Sequence, residues 1–244
     1  MKRALVVRSG ANPFVSLEAS SRIEIVEKVS HIIEPIQPEL SLEPADLVIF
    51  TSQVAVERTL GDPSLAPRFR EAAAGARIVA VGTATGEALS ARGISTDVEA
   101  GGSGESVLER LPGNLGGQRV LLPCGEDAAV DLPEQLRSRG AHVLRWVLYR
   151  KVPSPRDAGL EREILEYPFA AFCTTSPSAA RWLFAGLGEL AARRLRETPA
   201  VVLGRFTRRF LESHGVVRIL VTEEARFSEA VAMLEDLAAQ AVGT

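Results

Sequence analysis

Hydrophobic and polar positions along the chain alternate between short apolar runs and longer amphipathic stretches. The run IVAV at 78–81 is apolar throughout, which is typical of a parallel strand buried on both faces. Gly82 ends this run, Thr83 and Thr85 stand where a helix would begin, and Gly93 is a plausible helix stop. The pattern predicts a strand, a turn and a helix. Hydroxyl and free backbone N–H groups would then gather at the carboxyl edge of the sheet, where an anion can bind.

The same pattern occurs a second time in the stretch AVVLGRFTRRFLESHG at 200–215. Upstream, DLVIFTSQVA at 46–55 resembles AAFCTTSPSA at 170–179, since each is a strand that ends in Thr-Ser and leads into a helical segment. Any two βα units look partly alike, but here three units recur in one order, which indicates two copies of one αβ domain. The best-matched positions are Gly82 and Gly204, Thr85 and Thr207, Leu89 and Leu211, and Gly93 and Gly215.

The two ends of the chain and its middle hold separate sets of these units. Residues 46–148 form a complete set of βα units, whereas 156–244 supply only three. Residues 1–35 can supply the missing one, although the pattern over 22–29 fits a strand and a helix about equally well. We therefore predict one domain built from 1–35 plus 156–244 and a second, inserted domain at 41–147.

Two proline-containing segments, 33–40 and 147–155, connect these domains. Proline fixes φ and removes a backbone donor, so both segments should be extended. We predict that they form a two-stranded linker, a β-ladder that acts as a hinge. The predicted fold class is α/β, with two similar αβα domains that have parallel sheets.

Composition and charge narrow the range of functions that the chain can have. The chain is 46% hydrophobic and 24% charged with a formal net charge of −3, so nothing indicates a nucleic-acid or membrane partner. Cys124 and Cys173 lie in or beside apolar runs, which is typical of core residues. The three histidines are not spaced as metal ligands are, so we predict no metal site. No apolar run reaches about 18 residues, and the apolar run after Lys2 and Arg3 is too short for a signal sequence. We expect a cytoplasmic protein.

The turns at the predicted sheet edges are rich in hydroxyl and amide groups. The sequence contains neither GxGxxG nor GxxxxGK[ST], the usual phosphate cradles of dinucleotides and nucleoside triphosphates. Ser176 and Ser178 have no histidine in the same turn, so a helix cap is a better role for them than a nucleophile. The pattern favours a large polyanionic ligand that is held by many weak contacts.

Seven pieces of the chain, in this order, resemble the uroporphyrinogen-III synthase family of tetrapyrrole biosynthesis. They are Arg8, IFTSQVAV at 49–56, VGTATGEAL at 81–89, LLPCGEDA at 121–128, VLYR at 147–150, TTSPSAARWL at 174–183 and LGRFTRRFL at 203–211. The resemblance implies two domains with flavodoxin-like halves and a lyase of heme biosynthesis that needs no cofactor. The implied reaction is cyclisation of hydroxymethylbilane to uroporphyrinogen III, with loss of water and inversion of ring D. The only implied partner is this small-molecule substrate, and we expect a monomer.

The resemblance also implies site residues. Tyr149 is the expected catalytic residue, assisting departure of the substrate hydroxyl, while a tyrosine that merely packs at the domain junction is the alternative. The implied substrate-binding residues are Arg8, Thr51, Ser52, Gly82, Thr83, Thr85, Cys124, Gly125, Ser176, Pro177, Ser178, Gly204 and Thr207.

Two other functions stay open at this point. Arg205 and Phe206 stand where the family usually has small residues, and such a bulky pair would suit a tetrapyrrole- or polyanion-binding module without turnover. A two-domain solute receptor of the periplasmic type would share the predicted architecture, although the absence of a leader in the sequence argues against it.

Overall fold

The protein has a mixed α/β fold whose strands form largely parallel sheets. The computed structural model describes residues 1–10, 22–38, 41–128, 131–155, 157–185, 187–224 and 226–240. The chain divides into two compact units, which we call unit 1 (Met1–Ile33 and Val152–Thr244) and unit 2 (Glu34–Lys151).

Strands and helices alternate through most of the chain. The strands are β1 (Lys2–Ser9), β2 (Ile23–Pro35), β3 (Leu47–Phe50), β4 (Arg77–Ala80), β5 (Val98–Glu99), β6 (Arg119–Gly125), β7 (His142–Pro153), β8 (Ala171–Thr174), β9 (Ala200–Val202) and β10 (Ile219–Val221). The helices are α1 (Gln53–Leu60), α2 (Ala66–Ala72), α3 (Thr83–Ala91), α4 (Gly104–Arg110), α5 (Asp131–Ser138), α6 (Leu160–Glu166), α7 (Pro177–Phe184), α8 (Glu189–Glu197), α9 (Arg205–Ser213) and α10 (Phe227–Gln240).

The sheet of unit 2 is parallel and has the strand order β7-β6-β3-β4-β5. Every residue of β3 is buried, because successive side chains of this strand point to opposite covered faces. Leu47 and Ile49 share a core with side chains of α4 and α5, among them Leu108 and Leu136. Phe50, on the other face, packs edge-on against Phe69 of α2 with the ring centroids 5.5 Å apart.

The sheet of unit 1 is also parallel, with the order β10-β9-β8-β1-β2. Its first strand lies between β8 and β2, so that residues from the two ends of the chain share one core. Leu5 packs with Phe172 against one helical layer. Val6 faces the other way and shares a cluster with Cys173 and with Leu234 of α10.

The predicted α/β fold class is confirmed, and the short apolar run after Lys2 and Arg3 lies within β1. The ambiguity over 22–29 is resolved, because this stretch belongs to β2 and pairs in parallel with β1. The predicted hinge ladder at 33–40 and 147–155 stays a prediction. Among the helices of the described residues, none has an apolar stretch that would span a bilayer.

The repeat predicted from the sequence is visible in α3 and α9. Gly82 and Gly204 cap the amino ends of these helices with extended backbones, at φ −173° and −174°. Gly93 and Gly215 follow the carboxyl ends with φ of +73° and +84°, in the left-handed region that favours glycine. The matched glycines therefore mark where each helix starts and stops.

Candidate functional site

Helix amino ends gather at the carboxyl edge of the unit 2 sheet, because the parallel strands all deliver the chain to this edge. Ser52 caps α1, and its Oγ accepts from the backbone N–H of Ala55 at 3.1 Å. Gly82 caps α3, and Ser103 caps α4 with a reciprocal bond to Ser106. The edge therefore presents N–H groups that suit an anionic ligand.

Tyr149 lies at this edge, near the end of β7, and only 3% of its surface is exposed. Its phenolic oxygen lies 3.1 Å from Ser52 Oγ, so the tyrosine is joined to the cap of α1. Burial raises the pKa of the phenol, while the hydrogen bond to Ser52 lowers it and the charge of Asp127 raises it; the net shift is upward. The phenol therefore keeps its proton at neutral pH and can act as a donor.

Gly125 makes room for the ring of Tyr149. The two residues are neighbours across β6 and β7, and the backbone N–H of Glu126 donates to the Tyr149 carbonyl at 2.8 Å. A Cβ atom added at Gly125 would stand 2.7 Å from Tyr149 Cε2 and 2.9 Å from Cζ. Position 125 therefore favours glycine, because the Tyr149 ring lies too close to it for a side chain.

Three of the predicted substrate-binding side chains are buried. Cys124 is 1% exposed and belongs to the core cluster between the sheet and α5, and burial raises the pKa of its thiol. Thr85 and Thr207 are 4% and 3% exposed, because they lie on the inner faces of α3 and α9. Their direct contact with a substrate stays a prediction, and their burial weighs against it.

The other predicted residues lie at one of the two carboxyl edges. Thr83 is exposed at the first position of α3, and Thr51 is half-buried beside Ser52. Pro177 begins α7, and Gly204 precedes α9 with open space beside its Cα. The unoccupied space at Gly204 contrasts with Gly82, where an added Cβ would approach the Cα of Gly102 to 3.3 Å.

Arg8 is the last residue but one of β1 and forms an ion pair with Glu27 of β2. Only 11% of its side chain is exposed. Contact between Arg8 and a substrate carboxylate stays a prediction, and the carboxylate of Glu27 would compete for the same guanidinium.

A group of serine hydroxyls, which we call the serine cluster, lies at the carboxyl edge of unit 1. Ser9 Oγ is 3.4 Å from the Oγ atoms of both Ser30 and Ser176, and Ser176 Oγ is 3.0 Å from that of Ser178. Ser176 also caps α7 by accepting from the N–H of Ala179 at 3.2 Å. Three separate elements, β1, β2 and α7, therefore bring hydroxyl groups together where a carboxylate could accept hydrogen bonds.

His31 extends this cluster. Ser30 Oγ lies 3.0 Å from the Arg8 carbonyl, to which it donates its one hydrogen. His31 Nδ1, 2.9 Å from Ser30 Oγ, then has to be the donor in their contact. When the imidazole is neutral, its Nε2 is therefore an acceptor.

Sequence reasoning missed Ser9, Ser30 and His31. Ser9 had a usable signal, since it follows a buried strand just as Thr51 and Ser52 follow β3. Ser30 and His31 had none, because they lie between the stretch at 22–29, which was ambiguous between a strand and a helix, and the predicted linker at 33–40.

We expect Ser176→Ala to weaken binding of the tetrapyrrole that the sequence resemblance implies by about 0.5–2 kcal/mol, because the variant loses a helix cap and one member of the serine cluster. Fluorescence titration with uroporphyrin would measure the change. Ser213→Ala is the control, since this exposed hydroxyl contacts only the Phe210 carbonyl and the neighbouring His214 ring, at the far end of α9. Equal affinity in the Ser176→Ala variant and the parent would show that the cluster does not contact the ligand.

Unit 2 also has a cavity at the opposite edge of its sheet. It has a volume of about 490 Å³ and is lined by Ser41, Arg119 and His142 among others, at the amino ends of β6 and β7. Ligands of parallel α/β sheets bind at the carboxyl ends of the strands, so we assign the candidate site to the edges that carry Tyr149 and the serine cluster.

Comparison with known proteins points in one direction. The family model for uroporphyrinogen-III synthase HemD matches residues 4–232. The crystal structure of a mutant uroporphyrinogen III synthase from Thermus thermophilus is similar, with a TM-score of 0.66, 21% identity, and coverage of 97% of this chain and 99% of that one. The synthase structure from Helicobacter pylori has a TM-score of 0.65 at 16% identity and covers 97% and 100% of the two chains. A search of curated protein sequences gave no significant match.

Proposed function

The chain belongs to the uroporphyrinogen-III synthase family, and from that premise we propose that it acts as a hydro-lyase, which closes hydroxymethylbilane to uroporphyrinogen III at the carboxyl edges of its sheets. The match of the family model to residues 4–232 carries this proposal, because it spans both units. The donor-rich helix ends and the serine cluster support it, since the substrate bears eight carboxylates.

The reaction needs little covalent help from the protein. The hydroxyl of the linear tetrapyrrole leaves as water, with the lone pair of the adjacent pyrrole nitrogen supplying the electrons and a proton arriving at the departing oxygen. The substituted carbon of ring D attacks the resulting azafulvene and gives a spiro intermediate. Fragmentation and reclosure at the other carbon, followed by loss of a proton, invert ring D. The protein has to hold the linear tetrapyrrole in the geometry that favours closure with inversion of ring D over direct closure without inversion.

The surroundings of Tyr149 support a role for it in the first step. Its phenol remains protonated because burial raises its pKa. The contact with Ser52 Oγ, at 3.1 Å, fixes the orientation of the hydroxyl at the sheet edge. We assign Tyr149 the role of hydrogen-bond donor to the departing hydroxyl, with Ser52 positioning it. In this role the phenolic proton is donated to the oxygen of the departing substrate hydroxyl.

A coupled assay tests the proposed function. Freshly made hydroxymethylbilane is incubated with the protein, the product is oxidised, and the type I and type III isomers are separated. We expect the type III isomer, because spontaneous closure gives the type I isomer without ring inversion. If the protein binds the tetrapyrrole but yields only type I at the rate of the protein-free control, the chain is a binding module without turnover.

A further inference from the structure

The first turn of α9 carries two exposed side chains, Arg205 and Phe206, at the carboxyl edge of unit 1. Phe206 is 58% exposed and is the one phenylalanine among the exposed large hydrophobic side chains of the described residues. The guanidinium carbon of Arg205 lies 5.1 Å from the centre of its ring. Phe210, one turn further on, packs against the core of unit 1 instead. The position of Phe206 is therefore not explained by core packing.

The charge of Arg205 is not explained by helix stability either. Arg205 is the first residue of α9, where the free N–H groups already give the helix end a partial positive charge, so a cation is unfavourable there. Within the described part of the chain, no carboxylate forms an ion pair with Arg205. Arg208 on the same helix, by contrast, pairs with Glu212 at 2.7 Å. A bound anion would offset both the unpaired charge of Arg205 and the helix dipole.

The internal repeat supplies a reference for these two positions. α3 in unit 2 begins after Gly82 with nearly the same cap geometry as α9 after Gly204, and its first two residues are Thr83 and Ala84. The same helix start thus forms with a small hydroxyl and a methyl group. The cation and the aromatic ring are additions in unit 1 that the fold does not require.

We infer that Arg205 and Phe206 together bind one pyrrole unit of the linear tetrapyrrole, with the pyrrole face against the Phe206 ring and a carboxylate of that unit on the Arg205 guanidinium. This inference rests on the proposed function. The planar guanidinium can bind a carboxylate through two parallel N–H groups, and the exposed ring offers a flat apolar surface. Stacking of the two side chains orders both before the substrate arrives, which lowers the entropy lost on binding.

Neither side chain has a role in departure of the substrate hydroxyl in the proposed reaction, so the contact should act on binding more than on chemistry. Arg205→Gln and Phe206→Ala are each expected to raise KM about tenfold, the equivalent of losing about 1.4 kcal/mol of binding, and to change kcat less than about twofold. Higher salt should raise KM of the parent more than KM of Arg205→Gln, because the variant lacks one charge pair. Arg208→Gln is the matched control and should keep KM within about twofold, since Arg208 is already paired.

Two further measurements separate the possible outcomes. Thermal unfolding should show an unchanged or higher Tm for Arg205→Gln, because the substitution removes a cation from a helix amino end. Fluorescence titration with uroporphyrin III, an octacarboxylate, gives affinity without turnover and should fall in both variants. If the parent makes the type III isomer while both variants keep its KM and uroporphyrin affinity, the inference is wrong and the proposed function stands. If the parent has no turnover, the titration alone decides, and equal affinity in parent and variants overturns the inference.

Discussion

Tyr149→Phe is expected to lower kcat about 10²-fold, within the usual range for a positioned acid, with little change in substrate affinity. The variant keeps the buried ring and removes only the hydroxyl that contacts Ser52 at 3.1 Å. Departure of the substrate hydroxyl then loses its donor, whereas the shape of the site does not change. The residual product should still be the type III isomer, because folding of the substrate chain, rather than the phenol, selects the ring-D carbon. Initial rates with isomer analysis measure both quantities.

The second tyrosine of the chain provides the control for this experiment. Tyr167 is 58% exposed and lies in unit 1, where its carbonyl accepts from Arg3. Tyr167→Phe should therefore leave kcat unchanged. Parent-like turnover in Tyr149→Phe would reduce Tyr149 to a packing residue, and a shift to the type I isomer would instead assign it a role in folding the substrate.

Gly125→Ala is expected to reduce turnover at least as much as Tyr149→Phe and to cost about 1–3 kcal/mol of folding free energy, the usual range for overpacking. An added Cβ would meet Tyr149 Cε2 at 2.7 Å and Asp127 Oδ1 at 3.0 Å. The ring is buried, so we expect this clash to move it away from its position opposite Ser52. Denaturant unfolding gives the stability change, and the coupled assay gives the turnover.

Gly113→Ala is the matched control in the same unit. Gly113 is exposed, has an unstrained backbone, and has no atom within 4 Å of an added Cβ. This variant should unfold within about 0.5 kcal/mol of the parent. If Gly125→Ala keeps both the stability and the turnover of the parent, Tyr149 does not need its observed position.

The sequence predicted those parts of the fold that depend on local patterns. The run at 78–81 is apolar because β4 is covered on both faces, and Gly93 and Gly215 mark helix ends because their φ is positive. The stretch at 22–29 was ambiguous for a physical reason: β2 is mostly half-exposed, and its charged residues have distant partners. Lys28 contacts Asp157 at 2.5 Å and Glu163 at 3.0 Å, partners that no local pattern reveals.

The candidate site was predictable only in outline. Edge residues such as Ser52 and Ser176 were recognisable because caps follow strands at fixed spacing. The inward direction of the Thr85 and Thr207 side chains was not predictable. Both residues occupy first-turn positions, where the direction of the side chain is decided by packing against the sheet. The contact between Ser52 and Tyr149 joins residues 97 positions apart, so it follows from the order of the strands and from no motif.

The position of β1 has a consequence for how the chain folds during synthesis. β1 is synthesised before β8, yet Ala4 and Val7 pair with Ala171 and Thr174, more than 160 residues later. Unit 2 is contiguous and can fold as soon as residues 34–151 have emerged. The apolar residues of β1, by contrast, are fully buried only in the finished protein. Contacts this distant in sequence are slow to form, since loop closure precedes any gain from burial. During translation the edge of β1 that pairs with β8 therefore stays open until β8 has been made, even if β2 already covers the other edge, and an open strand edge is prone to aggregation.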